Sequence, residues 1–212
     1  EDRVEAQIES LKRIINQQIG IIELNADLDI DVVTEIFIRI NQKGVKLSNA
    51  DFVMSKIASD ENHNGNKMRR MIDYFCRLVV DPSFNRHVID NDQDFANSDY
   101  YRTISWMKDS HDKLYIPDYL DVLRVALIYQ FNRGKFSDLV ALLSGRNFTL
   151  RSNEESIVTE SYQKLEKGLL AFFNKTNYQR ILMIVESAGF IKSQMIISKN
   201  SLNFSYALYL ML

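Results

Sequence analysis

The chain of 212 residues contains few of the residues that break regular structure, with seven glycines and two prolines. Proteins rich in hairpins and short loops need more of both, because tight turns depend on their special backbone conformations. The single cysteine, Cys76, excludes an intrachain disulfide and lies in an apolar run, where we interpret it as a small buried hydrophobe. The composition therefore favours long helices in a reducing, cytoplasmic setting.

The chain also lacks a marked excess of either charge, since 26 basic and 28 acidic side chains give a net charge of −2. This balance excludes a strong overall attraction to nucleic acid, although a local basic patch could still exist. No apolar run approaches the ~18 residues that a membrane-spanning helix needs. We expect no signal peptide either. We expect a cytoplasmic protein without membrane contact that buries a core of its own.

Common catalytic and metal-binding motifs are absent from the sequence. It contains no GxxxxGK[ST] phosphate-binding loop, no GxSxG nucleophile turn and no GxGxxG dinucleotide motif. His63, His87 and His111 form no HxxxH pair, so we interpret them as ordinary surface or loop residues. The acidic run DNDQD at 90–94 predicts a solvated loop rather than a pair of catalytic carboxylates.

Apolar residues recur at helical spacing along most of the chain. The short, β-branched stretch at 19–24 instead predicts one strand, and residues 83–98 are expected to be irregular. Helices are predicted near the N-terminus and at 30–42, 48–59, 67–80, 99–108, 117–132, 137–143, 154–174, 178–187 and from about 200 onward. The helix at 117–132 is apolar almost all round, which is typical of the centre of a bundle. We therefore predict a mainly α, multi-helix bundle of about eight to ten helices, with at most one short N-terminal strand.

The lone strand at 19–24 would need partner strands to satisfy its backbone groups, and no convincing partner follows. We therefore expect the rest of that sheet to lie outside these residues. The final run SYALYLML, at 205–212, has an apolar face and no capping residue, so we also expect the bundle to continue beyond it. In this interpretation residues 1–60 join a missing α/β domain to a helical bundle at 61–212, and both parts form one compact unit.

The densest polar cluster is the stretch FIRINQKGVKLSNAD at 37–51, where one amphipathic helix ends and the next begins. Gly44 suits the left-handed residue that ends a helix. Ser48 followed by Asp51 predicts a capping box at the next helix. Arg39 and Asn41 flank the apolar stripe of the first helix on opposite sides. The cluster is therefore either a pair of helix caps with basic groups that suit the helix dipole, or a polar pocket facing a ligand.

A DNA-reading helix-turn-helix is a third interpretation of this region, and two features disfavour it. The connection at 42–48 is longer than the usual turn of such a motif. Asp51 would also lie at the start of the recognition helix, where it would repel phosphate.

The stretch EIFIRINQKGVKLSNADFVMSKI at 35–57 resembles a motif of the GmrSD-type family of bacterial proteins, F-x-R-I-N-x-x-G-x-x-L-[ST]-x-x-[DE]. The N-terminal domain of that family is ParB/sulfiredoxin-like. Two later stretches, at 119–148 and 187–210, are also similar to long members of the family. The residues that match the motif are Phe37, Arg39, Ile40, Asn41, Gly44, Leu47, Ser48 and Asp51.

Family members carry a D-G-Q-Q-R box linked to nucleotide binding and hydrolysis, and several are restriction systems that attack modified phage DNA. This chain contains neither that box nor a His-Asn-His nuclease motif. The resemblance therefore implies the helical part of a nucleotide-dependent, DNA-directed phage-defence protein. It implies that this part is inactive alone, with no catalytic residue, metal or cofactor of its own. A nucleoside triphosphate and DNA are the implied ligands of the full-length protein, and its α/β domain and C-terminal region are the implied partners.

The resemblance also implies that Arg39, Asn41, Gly44, Ser48 and Asp51 border the nucleotide pocket, with Arg39 and Asn41 nearest to the nucleotide. The alternative hypothesis is a non-catalytic helical scaffold whose exposed apolar surfaces bind another protein. A D-G-Q-Q-R box encoded upstream of residue 1 would favour the first hypothesis, and an upstream region without it would favour the second.

Overall fold

A computed structural model of the chain describes residues 2–14, 21, 23–25, 28, 36, 48–110, 113–150 and 152–212. Within these residues it contains eleven α-helices and no β-strand, which confirms the predicted mainly α fold. The chain divides into two compact units, Glu1–Lys46 and Leu47–Leu212. None of the helices described has both the length and the apolarity that a membrane crossing requires.

In the first unit, helix α1 comprises Asp2–Ile14, and the side chains of Val4 and Ile8 on its predicted apolar stripe are exposed. The predicted strand at 19–24 is described only at its third, fifth and sixth residues, and these have no regular secondary structure. The predicted helix at 30–42 lies outside the described residues except for Ile36, which is helical.

The second unit contains the other ten helices. They are α2 Asn49–Ser59, α3 Gly65–Val80, α4 Phe84–Asn91, α5 Gln93–Ala96, α6 Asp99–Ile104, α7 Tyr119–Phe131, α8 Phe136–Leu143, α9 Glu155–Phe173, α10 Lys175–Ser187 and α11 Lys199–Met211. Two 3-10 turns accompany them, at Ser105–Asp109 and Ser193–Met195. Most of these bounds agree with the predicted helices to within one helical turn.

The region at 83–98 differs from the prediction, because it forms helices α4 and α5 instead of irregular loop. Each of these helices buries a single residue, Val88 in α4 and Phe95 in α5, so neither produces a clear apolar period in the sequence. Asp92 lies between the two helices and is not a solvated loop residue. Its carboxylate accepts hydrogen bonds from the Phe95 backbone N–H and from the side chains of Arg70 and Tyr74.

Helix α7 is the centre of the second unit, with α9 and α11 packed along it. Its buried apolar residues are Val122, Leu123, Val125, Ala126 and Leu127, which confirms the prediction of a central helix. Helix α9 approaches α7 closely at Gly168, where an added Cβ would lie 3.0 Å from the Ala126 Cβ. A larger side chain there would push the two helices apart.

Aromatic rings form much of the core of the second unit. Phe172 is fully buried, and its ring centroid lies 5.0 Å from that of Tyr206 and 5.3 Å from that of Phe173. Phe75 and Tyr178 pack edge-on against the same ring. These tilted arrangements are the ones that aromatic pairs favour in protein interiors.

A buried polar network joins α7 to α11. Asp121 is only 5% exposed and accepts hydrogen bonds from Asn203 Nδ2 at 2.7 Å, Lys199 Nζ at 3.1 Å and the Asp118 backbone N–H at 2.9 Å. Asn203 is fully buried, and its Oδ1 accepts a hydrogen bond of 2.6 Å from the Tyr115 hydroxyl. Such a network stabilises the fold only while every member has a partner.

Candidate functional site

Two of the five predicted site residues, Ser48 and Asp51, lie in the described part of the chain, and Arg39, Asn41 and Gly44 lie outside it. Ser48 and Asp51 form the predicted capping box at the start of α2. Ser48 Oγ accepts a hydrogen bond of 3.2 Å from the Asp51 backbone N–H. In return, Asp51 Oδ2 accepts from the Ser48 backbone N–H at 2.9 Å and from the Ser48 hydroxyl at 2.7 Å.

The second oxygen of the Asp51 carboxylate connects α2 to α7. The Tyr119 hydroxyl donates a hydrogen bond of 2.5 Å to Asp51 Oδ1. This bond is the main reason why the pKa of Asp51 lies below its ordinary value. The same bond, together with burial, raises the pKa of Tyr119 to about 12. Asp51 is therefore ionised and hydrogen-bonded at both oxygens, which suits a structural anchor better than a general base.

We expect Tyr119→Phe to lower the free energy of unfolding by about 1 kcal/mol at pH 7, because Asp51 loses a hydrogen-bond donor. The pKa of Asp51 is lowered in the folded state, so this stabilisation exists above its ordinary value of 3.8 and is lost as the pH falls below it. Urea unfolding of both proteins at pH 7 and near pH 3 should show the difference shrinking at the lower pH.

Tyr129→Phe, on the same helix α7, is the matched control and should leave stability nearly unchanged at both pH values. If Tyr119→Phe lowers the free energy of unfolding by the same amount at both pH values, the Tyr119 hydroxyl does not act through the Asp51 carboxylate.

A cavity of about 470 Å³ opens beside Ser48, and we call it the Arg124–Lys135 pocket. It is formed by the starts of α2 and α8 and by one side of α7. Its lining residues are Ser48, Asn49, Ala50, Leu120, Arg124, Lys135, Phe136 and Ser137. The lining thus contains two cations and no carboxylate.

The two cations of this pocket have no ion-pair partner among the described residues. The Arg124 guanidinium lies 5.0 Å from the centroid of the Phe136 ring, an arrangement that fixes its position without neutralising its charge. Lys135 is exposed. By contrast, the neighbouring Arg133 pairs with Asp138 at 3.2 Å and lies over the Phe148 ring. Arg124 and Lys135 are therefore available to an anionic ligand.

Two helix starts also border the pocket. Helix α2 begins at Asn49, and α8 begins at Phe136 after Lys135, whose side chain makes no capping hydrogen bond. The first backbone N–H groups of a helix have no partner within it and carry a partial positive charge. The hydroxyl of Ser137 provides a further donor, whereas that of Ser48 already donates to Asp51. This combination of donors and cations suits a phosphate or carboxylate group.

The sequence interpretation missed Arg124 and Lys135, although a signal for them existed. Residues 122–153 contain five basic residues and one acidic residue, a net charge of +4 in a chain whose total is −2. This asymmetry indicates a local basic surface. It does not indicate which of the five cations meet at one pocket, because that depends on how α2, α7 and α8 pack.

His63 lies in a loop, which is one of the two predicted settings, but its side chain is not exposed like that of an ordinary loop residue. Its ring is largely buried and stacks on Tyr162 with a centroid distance of 4.8 Å. Its Nδ1 lies 2.8 Å from Asp60 Oδ1 and its Nε2 lies 3.2 Å from Thr159 Oγ1. Asp60 also accepts the backbone N–H groups of His63 and Gly65.

The Asp60–His63–Thr159 chain of contacts is best explained as a structural link. It closes the loop between α2 and α3 and attaches that loop to α9, where Thr159 lies within the helix. Gly65 completes the tight loop, because a Cβ there would lie 2.3 Å from the Ile57 carbonyl oxygen. Within the described part of the chain, no group of three or more His, Cys, Asp or Glu residues is arranged to hold a metal ion.

Comparison of the chain with protein-family models, with curated proteins and with solved structures finds no match. The resemblance to the GmrSD-type family therefore stays a prediction from the motif at 35–57. The chemistry of the Arg124–Lys135 pocket rests on its own side chains and backbone groups.

Proposed function

We propose that this chain is the helical part of a GmrSD-like, nucleotide-dependent, DNA-directed defence protein, and that its Arg124–Lys135 pocket binds phosphate groups of the nucleotide. One observation carries this proposal: Arg124 and Lys135, which have no ion-pair partner in the described part of the chain, meet beside the motif residue Ser48. The chain alone is expected to bind the nucleotide without hydrolysing it, since the implied catalytic box is not part of this sequence.

Each lining group has a distinct task in this proposal. The Arg124 guanidinium donates a planar pair of hydrogen bonds to phosphate oxygens, and Lys135 contributes a mobile point charge at the exposed edge. The backbone N–H groups at the starts of α2 and α8 approach the same anion. Asp51 lies outside the lining, and its carboxylate oxygens are engaged by hydrogen bonds from Ser48 and Tyr119. Arg39 and Asn41 stay candidates for the border of the nucleotide pocket in the full-length protein, as the resemblance implies.

Reversing the charge of Arg124 tests the pocket. We expect Arg124→Glu to weaken the binding of nucleoside triphosphates to the 212-residue chain by about ten- to a hundredfold, because a charge-assisted contact becomes a repulsion. Isothermal titration at low ionic strength with ATP, GTP, CTP and UTP would measure the affinity and identify the base preference.

Arg86→Glu is the matched control, since it makes the same change of charge at an exposed position on α4. Its affinity for the nucleotide should stay within about twofold of the unchanged chain. A phosphate site at Arg124 would be contradicted if the unchanged chain, Arg124→Glu and Arg86→Glu bound the nucleotide with equal affinity. It would also be contradicted if the unchanged chain bound no nucleotide.

A non-catalytic interaction scaffold is the second candidate function, and one observation favours it. Several large apolar side chains between α10 and the end of α11 are exposed instead of packed. Exposed apolar surface of this kind is typical of protein-binding sites. The two functions are compatible, because the exposed apolar residues and the Arg124–Lys135 pocket share no lining residue.

A further inference from the structure

An apolar groove of about 440 Å³ lies between α10 and α11, and we call it the α10–α11 groove. Ile184 and Val185 from α10 form one wall, and Phe190, Met195 and Ile197 from the connecting segment form another. Ile197 is 99% exposed, Ile184 is 48% exposed and Met195 is 44% exposed. Exposing three large apolar side chains to water along one groove costs free energy, and a partner that covers them would remove this cost.

The shape of the groove fits a helix. Its deepest residues include Leu202, which is 6% exposed, so only a ridge of projecting side chains can reach them. The α11 side is lined by Ser201 and Ser205, which are one turn apart and small, so a helix backbone can approach closely there. A flat bilayer surface would contact the protruding Ile197 and leave the floor of the groove empty.

The charged residues near the groove indicate which kind of partner it favours. Residues 187–212 contain no aspartate or glutamate, and their only charged residues are Lys192 and Lys199. Lys199 is already bound to Asp121, and Lys192 lines a neighbouring cavity together with Glu186. Arg180 is exposed on α10, one turn before Ile184. The one acidic residue of α10, Glu186, lines other cavities and not this groove.

From this geometry we infer that the α10–α11 groove binds an amphipathic helix of a partner protein, with large apolar residues on one face and acidic residues flanking them. The apolar face would cover Ile184, Met195 and Ile197, in the helix-in-groove mode of recognition. An acidic flank would meet Arg180, which favours encounter and sets the preferred partner. The inference does not depend on the nucleotide proposal, because Arg180 does not belong to the Arg124–Lys135 pocket.

Two libraries of helical peptides test the inference on the full 212-residue chain. Both vary Leu, Ile, Phe and Met at the apolar positions, and one carries Glu at the flanking positions where the other carries Lys. We expect the Glu library to give binders and the Lys library to give none. Fluorescence anisotropy should show their affinity falling at least tenfold in Ile197→Asp and also falling with added salt.

Leu150→Asp is the matched control, because Leu150 is a similarly exposed apolar residue far along the chain from the groove. It should leave peptide affinity unchanged, as should Arg124→Glu, which separates this inference from the nucleotide site. Binders that tolerate Ile197→Asp, an equal yield from the Lys library, or no binders at all would overturn it. Two further outcomes would also overturn the inference. If the chain self-associates and Ile197→Asp abolishes the association, the groove binds a second copy of the chain. If the chain binds phosphatidylserine vesicles and Ile197→Asp abolishes that binding, the groove contacts a membrane.

Discussion

Replacing Phe172 with alanine is expected to lower the free energy of unfolding by about 3–5 kcal/mol. The Phe172 side chain is fully buried, and its ring contacts the rings of Phe75, Tyr178 and Tyr206. Its removal leaves a cavity that helices α3, α10 and α11 cannot close without moving these rings. Urea unfolding followed by circular dichroism would measure the loss.

Phe204→Ala is the matched control, since Phe204 is the same residue type and is 52% exposed on α11. Its substitution should cost less than about 1 kcal/mol, because little buried area is lost. Similar losses for Phe172→Ala and Phe204→Ala would mean that the aromatic cluster does not form the core described above.

Asn203→Leu is expected to cost about 3–5 kcal/mol, although leucine is similar in volume and more apolar. The substitution removes the donor to the buried Asp121 carboxylate and the acceptor of the Tyr115 hydroxyl. The Asp121 carboxylate and the Tyr115 hydroxyl would then each be buried with an unmet hydrogen bond, and the carboxylate is charged. Thermal unfolding at neutral pH should show a Tm lower by roughly 6–15 °C for a domain of this size.

Asn200→Leu provides the comparison, because Asn200 lies on the same helix, α11, and is exposed. Its change in stability should stay within about 0.5 kcal/mol. An Asn203→Leu protein as stable as the unchanged chain would show that the network between α7 and α11 contributes nothing to the fold.

The Arg124–Lys135 pocket changes how the motif at 37–51 is interpreted. In the sequence, Asp51 counts against phosphate binding at the start of α2, because a carboxylate repels it. In the structure, that carboxylate is hydrogen-bonded to Ser48 and Tyr119 and lies outside the pocket lining, whereas Arg124 and Lys135 lie within it. The helix caps and the anion site are therefore compatible, and Ser48 belongs to both.

Short-range features were the most predictable part of this protein. The Ser48 and Asp51 capping box needs only two residues three positions apart, because the hydrogen bonds are made within one helical turn. Helix α7 was predictable as the central helix because apolar residues on all its sides leave it no face for water. Helices α4 and α5 escaped prediction because one buried residue each, Val88 or Phe95, gives no periodic pattern.

By itself the amino-acid sequence determined the helical class, the order of most helices and the cap at Ser48, since these follow from neighbours within a few turns. The tertiary structure alone decided which distant side chains meet: Tyr119 with Asp51, His63 with Thr159, and Arg124 with Lys135 beside Ser48. It also decided that Ile184 and Ile197 line one apolar groove. The physical reason is that local periodicity fixes the face on which a side chain lies, whereas packing of the whole bundle fixes what that face contacts.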